Sequence, residues 1–305
     1  MTMHPETNPG GGNSYVNDPE SGAEMARLLD QDRTLTACIG GLLPELSDIE
    51  QSAVDEVLDI GCGPGGWVQE MAFAYPQMQV TGIDISQAMV EYARAQARIQ
   101  HLGNAHFEVM DARQPLAFPD ASFDLINART IAGFMLTTAW PELLRECHRL
   151  LRPGGILRLT ETDSWGKTNS LAFETLIDLS YKAAWLTGHC FDPSGHTFGV
   201  TPMLTYLLKQ AGIQDVSERA YAINFSVGAR VYKAMYENVR VFFQLMQPFV
   251  LKARGAFPDA GIPDKEELDR LYNQMQIEML EDDFVGIFYL LTAWGVKRDP
   301  SPPNL

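Results

Sequence analysis

The sequence predicts a doubly wound α/β fold, a mainly parallel sheet with helices on both faces. Three observations predict it: short apolar strands alternate with helical patterns between residues 57 and 161, a glycine-rich turn joins the first strand to the next helix, and successive strands end on carboxylates.

The elements follow in chain order. Met1 to Asn13 is polar and rich in Gly and Pro, so residues 1–14 read as a flexible tail. Residues 15–45 read as an N-terminal helical lid, from the rhythm of Met25, Leu28, Leu29, Leu35, Ile39, Leu42 and Leu43 that stops at Pro44. Residues 46–165 are the expected ligand-binding core. Val57 to Ile60 is a strand that enters Gly61-Cys62-Gly63-Pro64-Gly65-Gly66, with a helix from about Trp67 to Tyr75. Val80 to Ile83 is the second strand, and Ser86 caps a helix through Met89, Ala93, Ala97 and Ile99. Phe107 to Met110 is the third. Turn residues Pro119 to Ser122 introduce the fourth, Phe123 to Asn127, and a helix from Trp140 to Leu151 follows. Arg152-Pro153-Gly154-Gly155 breaks that helix, and Ile156 to Glu161 is the fifth strand, which gives five β/α repeats in order.

Residues 166–305 are expected to complete the sheet. Helices are expected near Leu171 to Leu186 and Pro202 to Ala211, and strands over Asp215 to Phe225 and Phe284 to Leu291. Two further helices, Ala229 to Lys252 and Lys265 to Glu281, form an inserted substrate cap over residues 229–281.

Composition narrows the function. The net charge of −16 repels phosphate backbones and anionic lipid, so nucleic acid is not an expected partner. The cysteines, Cys38, Cys62, Cys147 and Cys190, form no Cys-x-x-Cys pair, which points to a reducing cytoplasm and neither a zinc ribbon nor a disulfide framework. The N-terminal stretch does not read as a secretory signal. The longest nearly uncharged apolar run, Phe284 to Val296, is short of the about 20 residues a bilayer requires.

Gly61, Gly63 and Gly66 satisfy G-x-G-x-x-G, the spacing that lets a ligand approach the backbone at a helix N-terminus. A nicotinamide oxidoreductase could use such a loop for pyrophosphate. The acidic residues separate the two readings. Asp59, two residues before Gly61, opposes pyrophosphate and suits a ligand with an ammonium group. Asp84 ends the second strand, where a carboxylate accepts ribose hydroxyls, and Asp111 follows the third, placed for an adenine amino group. Together they outline an adenosine joined to an aminoacyl chain, S-adenosylmethionine.

Val57 to Gly66, Gly82-Ile83-Asp84-Ile85-Ser86, Met89, Ala93, Asp111-Ala112, Phe123 to Ile126 and Leu151 to Gly155 together resemble the class I S-adenosylmethionine-dependent methyltransferases, the broad group that includes the ubiquinone and menaquinone C-methyltransferases. The resemblance covers about residues 57–160. It implies a Rossmann-like sheet of about seven strands with the last antiparallel. It also implies that Asp59, Gly61, Cys62 and Gly63 line the methionine moiety, Asp84 and Ile85 the ribose, and Met89, Asp111 and Ala112 the adenine. Asn127 and Arg129 would contact the amino-acid end, with Tyr15 and Gln31 as lid contacts. Where the quinone enzymes often carry histidines after the fourth strand, this chain has Ile131-Ala132-Gly133-Phe134, a departure that leaves the acceptor open and the cofactor reading intact.

Catalysis needs little from the protein beyond placement, because a sulfonium is an activated donor. A hydroxyl acceptor would need a base, and the candidates are His189 and His196 in the loop after the helix that follows the fifth strand, and Asp163 just past that strand. The spacing of His189, Cys190, Asp192 and His196 matches no zinc pattern, and no metal is expected. Phe, Met and Tyr in the inserted helices favour a hydrophobic small-molecule acceptor methylated at O, N or C. A protein that binds S-adenosylmethionine without methyl transfer, or a cyclase that uses it electrostatically, is the alternative, ahead of the oxidoreductase.

Overall fold

The computed structural model describes residues 22–47, 50–51 and 53–298. The predicted tail lies outside them, as does the start of the lid. The sheet has eight strands: β1 (Glu56–Ile60), β2 (Gln79–Asp84), β3 (Ala105–Val109), β4 (Phe123–Arg129), β5 (Leu151–Glu161), β6 (Lys167–Thr168), β7 (Ile213–Asn224) and β8 (Gly286–Lys297). The order is β3-β2-β1-β4-β5-β8, with β7 and the two-residue β6 both on β8. The first five are mutually parallel, whereas β8 runs antiparallel to β5 and to β7. Chain order reverses between β1 and β4, which opens a crevice at their carboxyl ends.

Alternation along the strands sorts side chains to the two faces. Leu58, Ile60, Ile126, Leu157 and Leu159 join one buried cluster, and Val57, Val80, Leu125 and Ile156 join the other. Helices α2 (Gly66–Ala74) and α3 (Gln87–Ile99) cover the second cluster, while α4 (Trp140–Leu150), α5 (Leu171–Leu186) and α6 (Thr201–Gln210) cover the first. As expected, Ser86 caps α3, its Oγ accepting from Met89 N at 3.3 Å. The N-terminal helix α1 (Gly22–Ile39) packs on α2 and on α7 (Tyr232–Ala256), and α7 in turn packs with α5 and α8 (Lys265–Met279) as the helical cap.

Two details differ from the sequence reading. Residues 110–122 cross from β3 to β4 as a loop, so one of the five β/α repeats lacks its helix; Pro115 and Pro119 remove amide donors and disfavour helix before them. The chain also extends directly from α4 into β5 at Leu151. Arg152 to Gly155 is an irregularity inside β5, between the pairs Phe123–Leu151 and Leu125–Ile156, with Gly154 at φ 84°. Among the described residues no helix is long and apolar enough to cross a membrane.

One row of the sheet breaks the apolar rule. Asp59, Asn127 and Arg158 are register partners across β1, β4 and β5, and all three are buried. Arg158 Nη1 donates to Asn127 Oδ1 at 2.7 Å, and Asn127 Nδ2 donates to Asp59 Oδ1 at 2.7 Å. On its other side Arg158 pairs with Glu45 at 3.0 Å, neither side chain being accessible to solvent, and Tyr221 of β7 donates its hydroxyl to Glu45 at 2.5 Å. Burial works to raise the Glu45 pKa, but the Arg158 guanidinium, the Tyr221 hydroxyl and a backbone hydrogen bond together outweigh it and hold the carboxyl below its usual range. Removing one member of such a pair strands the other charge. Glu45→Ala should therefore cost about 3–5 kcal/mol of stability in urea unfolding, and a loss below about 1 kcal/mol would contradict the burial of Arg158.

Candidate active site

The glycine turn between β1 and α2 bends where a side chain would not fit. Gly61 sits at φ 69°, and a Cβ there would lie 2.9 Å from Phe134 Cζ. Gly65, at φ 81°, would meet Phe107 at 2.6 Å. The turn forms the floor of a cavity of about 940 Å³, open to solvent, at the carboxyl ends of β1, β2 and β4.

The structure brings most of the sequence-predicted ligand residues to this cavity. Asp59, Gly61, Cys62 and Gly63 line it from the first strand and turn, Asp84, Ile85 and Met89 from β2 and α3, and Asp111 and Ala112 from the loop after β3. Gln31 and Arg129 line it too. Asn127 does not: it lies fully buried behind Asp59, so it supports the carboxylate from below. Tyr15 lies outside the described residues.

Each carboxylate has its own environment. Burial pushes Asp59 up to about 7, opposed by the Arg129 charge and the Asn127 hydrogen bond. Asp84 accepts from Gly63 N and Ser86 N, each at 2.9 Å, yet burial outweighs these bonds and raises its pKa. Asp111 is gripped by Arg113 Nε and Nη2 at 2.9 and 2.8 Å, which holds it below its usual value.

Several residues that sequence reasoning missed complete the wall, among them Leu28, Asp32, Met110, Thr130 and Phe134. Asp32 ties α1 over the mouth. Arg129 Nη2 donates to it at 2.6 Å, and Arg129 Nη1 donates to Thr36 at 2.9 Å. The one available signal was position, since Leu28 and Asp32 share a helix face with Gln31.

A second cavity of about 630 Å³ adjoins the first and shares Leu28, Gln31 and Thr130 with it. Its walls are aromatic and apolar: Trp165 stacks on Phe242 with ring centroids 4.0 Å apart, and Tyr181, Phe198 and Met246 complete them. Glu161 and Arg27 are its charged members. Thr130, at the junction, has φ 53°. This left-handed conformation is unfavourable for a β-branched residue and is the kind of strain found at binding sites.

The three base candidates line neither cavity. His189 is buried at the end of α5, with Thr187 at 3.0 Å from its Nδ1 and Phe249 edge-on to its ring. His196 is exposed, 3.9 Å from Asp178. Asp163 accepts from the backbone and hydroxyl of Thr201, which anchors the start of α6. Spacing placed them near the substrate entrance; the fold commits them to holding a helix end and a loop. Among the described residues no cluster of His, Cys, Asp and Glu could hold a metal ion.

Comparison with known proteins matches residues 57–155 to a methyltransferase domain family. The malonyl-[acyl-carrier protein] O-methyltransferase of Legionella pneumophila is 26% identical over 224 residues, 66% of this chain and 76% of that protein. The 27-O-demethylrifamycin SV methyltransferase of Amycolatopsis mediterranei is 39% identical over 137 residues, 45% of this chain and 47% of that one. Residues 57–155 of the chain are thus a methyltransferase domain. Its fold is shared with the Haemonchus contortus phosphoethanolamine N-methyltransferase 2, at TM-score 0.53 and 18% identity over 92% of this chain and 58% of that one.

The first cavity offers carboxylates, which suit ammonium and hydroxyl groups, together with Ile85, Met89, Met110 and Ala112, which suit a flat base, so its lining is chemically compatible with S-adenosylmethionine. The fit depends on the bare turn. Gly61→Ala adds a strained Cβ against Phe134 and should weaken S-adenosylhomocysteine binding by about five- to a hundredfold by calorimetry, from a steric cost of about 1–3 kcal/mol; unchanged affinity would contradict the tight floor.

Proposed function

We propose that S-adenosylmethionine occupies the first cavity and a hydrophobic small-molecule acceptor the second, with methyl transfer across the wall they share. The observation that carries this reading is the contiguity of the two cavities at Leu28, Gln31 and Thr130. Asp59 would hold the ammonium group, Asp84 the ribose hydroxyls, and Ile85, Met89 and Ala112 the adenine faces, with Asp111 at its edge. Bound there, the donor supplies an activated methyl group, so the chain's own residues need only position the acceptor, exclude water and handle a proton.

The helical additions set the acceptor. Helix α1 contributes to both cavities and acts as the lid, locked to β4 through Asp32 and Arg129, while α7 supplies Phe242 and Met246 from the cap. These aromatic and thioether walls support an apolar, ring-bearing acceptor. The relatives' named acceptors differ from one another, a protein-bound malonyl group and a rifamycin among them, in keeping with a common donor site under variable caps. Four cysteines without disulfides support a cytoplasmic setting.

Two variants separate the cavities. Asp84→Ala should weaken S-adenosylmethionine binding by about ten- to a hundredfold, the loss of charge-assisted hydrogen bonds worth about 1.5–3 kcal/mol. Ala184→Leu, which fills the second cavity from α5, should leave that affinity intact and abolish turnover. The reverse pattern would refute the assignment. Donor affinity should also depend on pH. Asp59 titrates near 7 in the free protein, and an ammonium ligand pairs only with its ionised form; affinity should therefore fall as pH drops below about 7, with a proton released on binding. Calorimetry across about pH 6 to 8 that shows a flat affinity would remove Asp59 as the ammonium partner.

A further inference from the structure

Glu161 is the last residue of β5, and its carboxylate is the one acidic group on the wall of the second cavity; among the described residues no histidine, cysteine or lysine lines that wall. Its Oε1 accepts from Ile131 N at 2.7 Å, while Oε2 accepts from Ala132 N only at 3.4 Å, which leaves this oxygen with bonding capacity to spare. Those amides belong to the short 3-10 turn Ile131–Gly133, whose Ala132 and Gly133 line the same cavity and which directly follows Thr130 at the junction with the donor site. A carboxylate on the aromatic-walled second cavity, bonded to the turn that follows Thr130 at its junction with the first, is placed to handle a proton of whatever binds there.

We propose that Glu161 is the catalytic base, taking the proton from an ionisable hydroxyl of the acceptor, a phenol or an enol carried on an apolar ring that packs on the Trp165 and Phe242 wall. This rests on reading the second cavity as the acceptor site and deepens it to O-methylation. The step balances: the acceptor O–H bond breaks and its proton passes to the Glu161 carboxylate, the oxygen pair forms the bond to the methyl group, and the carbon–sulfur pair stays on sulfur, giving S-adenosylhomocysteine. The proton leaves Glu161 for solvent after product departs.

Base strength fits the task. An ordinary glutamate, near 4.3, is about six units too weak for a phenol near 10. Burial pushes Glu161 up to about 8, with the Ile131 and Ala132 amides opposing and neighbouring Asp163 adding to it. The other ionisable groups on the surrounding elements are Arg27 of α1, held by Glu24 at 2.6 Å, and Tyr181 of α5, whose own pKa is raised by burial; α7 presents Phe242 and Met246. The Arg27 guanidinium on this wall disfavours a cationic acceptor and suits a developing oxyanion.

The test uses the full chain with S-adenosylmethionine and a panel of phenols and cyclic 1,3-diketones set against benzylamines and anilines of the same ring size, read by mass spectrometry. Phenols or enols should be methylated and the amines not. With the best acceptor, Glu161→Gln, which keeps an oxygen for the Ile131 amide, should lower kcat by about a hundredfold or more. Acceptor KM and S-adenosylhomocysteine affinity should stay within about threefold, and a purely structural role would not give that split. The wild-type rate should climb as pH rises through about 8, the ionised form being the base, and Glu161→Gln should lose this limb; should that variant fail to fold, the wild-type profile decides. An unchanged kcat, a profile flat through that range, methylation of amines instead of phenols, or methylation of neither class while S-adenosylhomocysteine binds would each overturn the proposal. Failure of the wild type to bind S-adenosylhomocysteine would instead overturn the donor-site reading.

Discussion

A buried row of hydrogen bonds holds Asp59 at the point where the sheet reverses. Arg158 has only donors, so it turns the Asn127 carbonyl toward itself and the Asn127 amide group toward Asp59. The carboxylate thereby receives one fixed donor from behind and presents its remaining capacity to the cavity. Burying Arg158 is costly, and Glu45, in the segment between α1 and β1, offsets that cost. Because Tyr221 completes the row, the ligand carboxylate is connected through side chains to the edge strand β7. The row fixes the Asp59 carboxyl from behind, and Arg129, which ties α1 to β4, supports its charge from the cavity side.

From that fixed point the two cavities divide the chemistry. The first cavity, the proposed donor site, is built from carboxylates and a bare backbone turn, parts suited to a cationic, hydroxyl-bearing ligand. The second cavity, the proposed acceptor site, is built from aromatic and thioether side chains with one carboxyl, parts suited to an apolar ring with one polar handle. Both share α1, whose Leu28 and Gln31 line each of them. The left-handed Thr130 lies where the two meet, and its strain is sustained by the Thr160 carbonyl, which accepts from Thr130 N at 2.8 Å.

Much of this was legible in the residue string because it is local. The strand, glycine turn and helix from Val57 to Tyr75 are adjacent in sequence, and strand ends recur at carboxylates, so the convergence of Asp59, Asp84 and Asp111 on one cavity could be expected before any geometry was known. Residues whose placement depends on long-range packing were not legible. Asn127 looked like a ligand contact and proves to be a support, because only the register of three strands shows that Asp59 stands in front of it. His189 drew attention because histidine titrates near neutrality, yet the return of the chain after α5 buries it against Phe249. Glu161 carries no motif at all. Its importance appears only when the turn after β4 folds onto the end of β5 and when α5 and α7 raise aromatic walls beside it.

The central claim is that the cavity over the glycine turn is a site for an adenosyl sulfur ligand. Isothermal titration calorimetry of the purified chain with S-adenosylmethionine and S-adenosylhomocysteine, with NADH as the parallel control, tests it most directly. Binding of both sulfur ligands at one site per chain, without NADH binding, is the predicted result. Binding of NADH alone would contradict the ligand assignment of all three strand-end carboxylates.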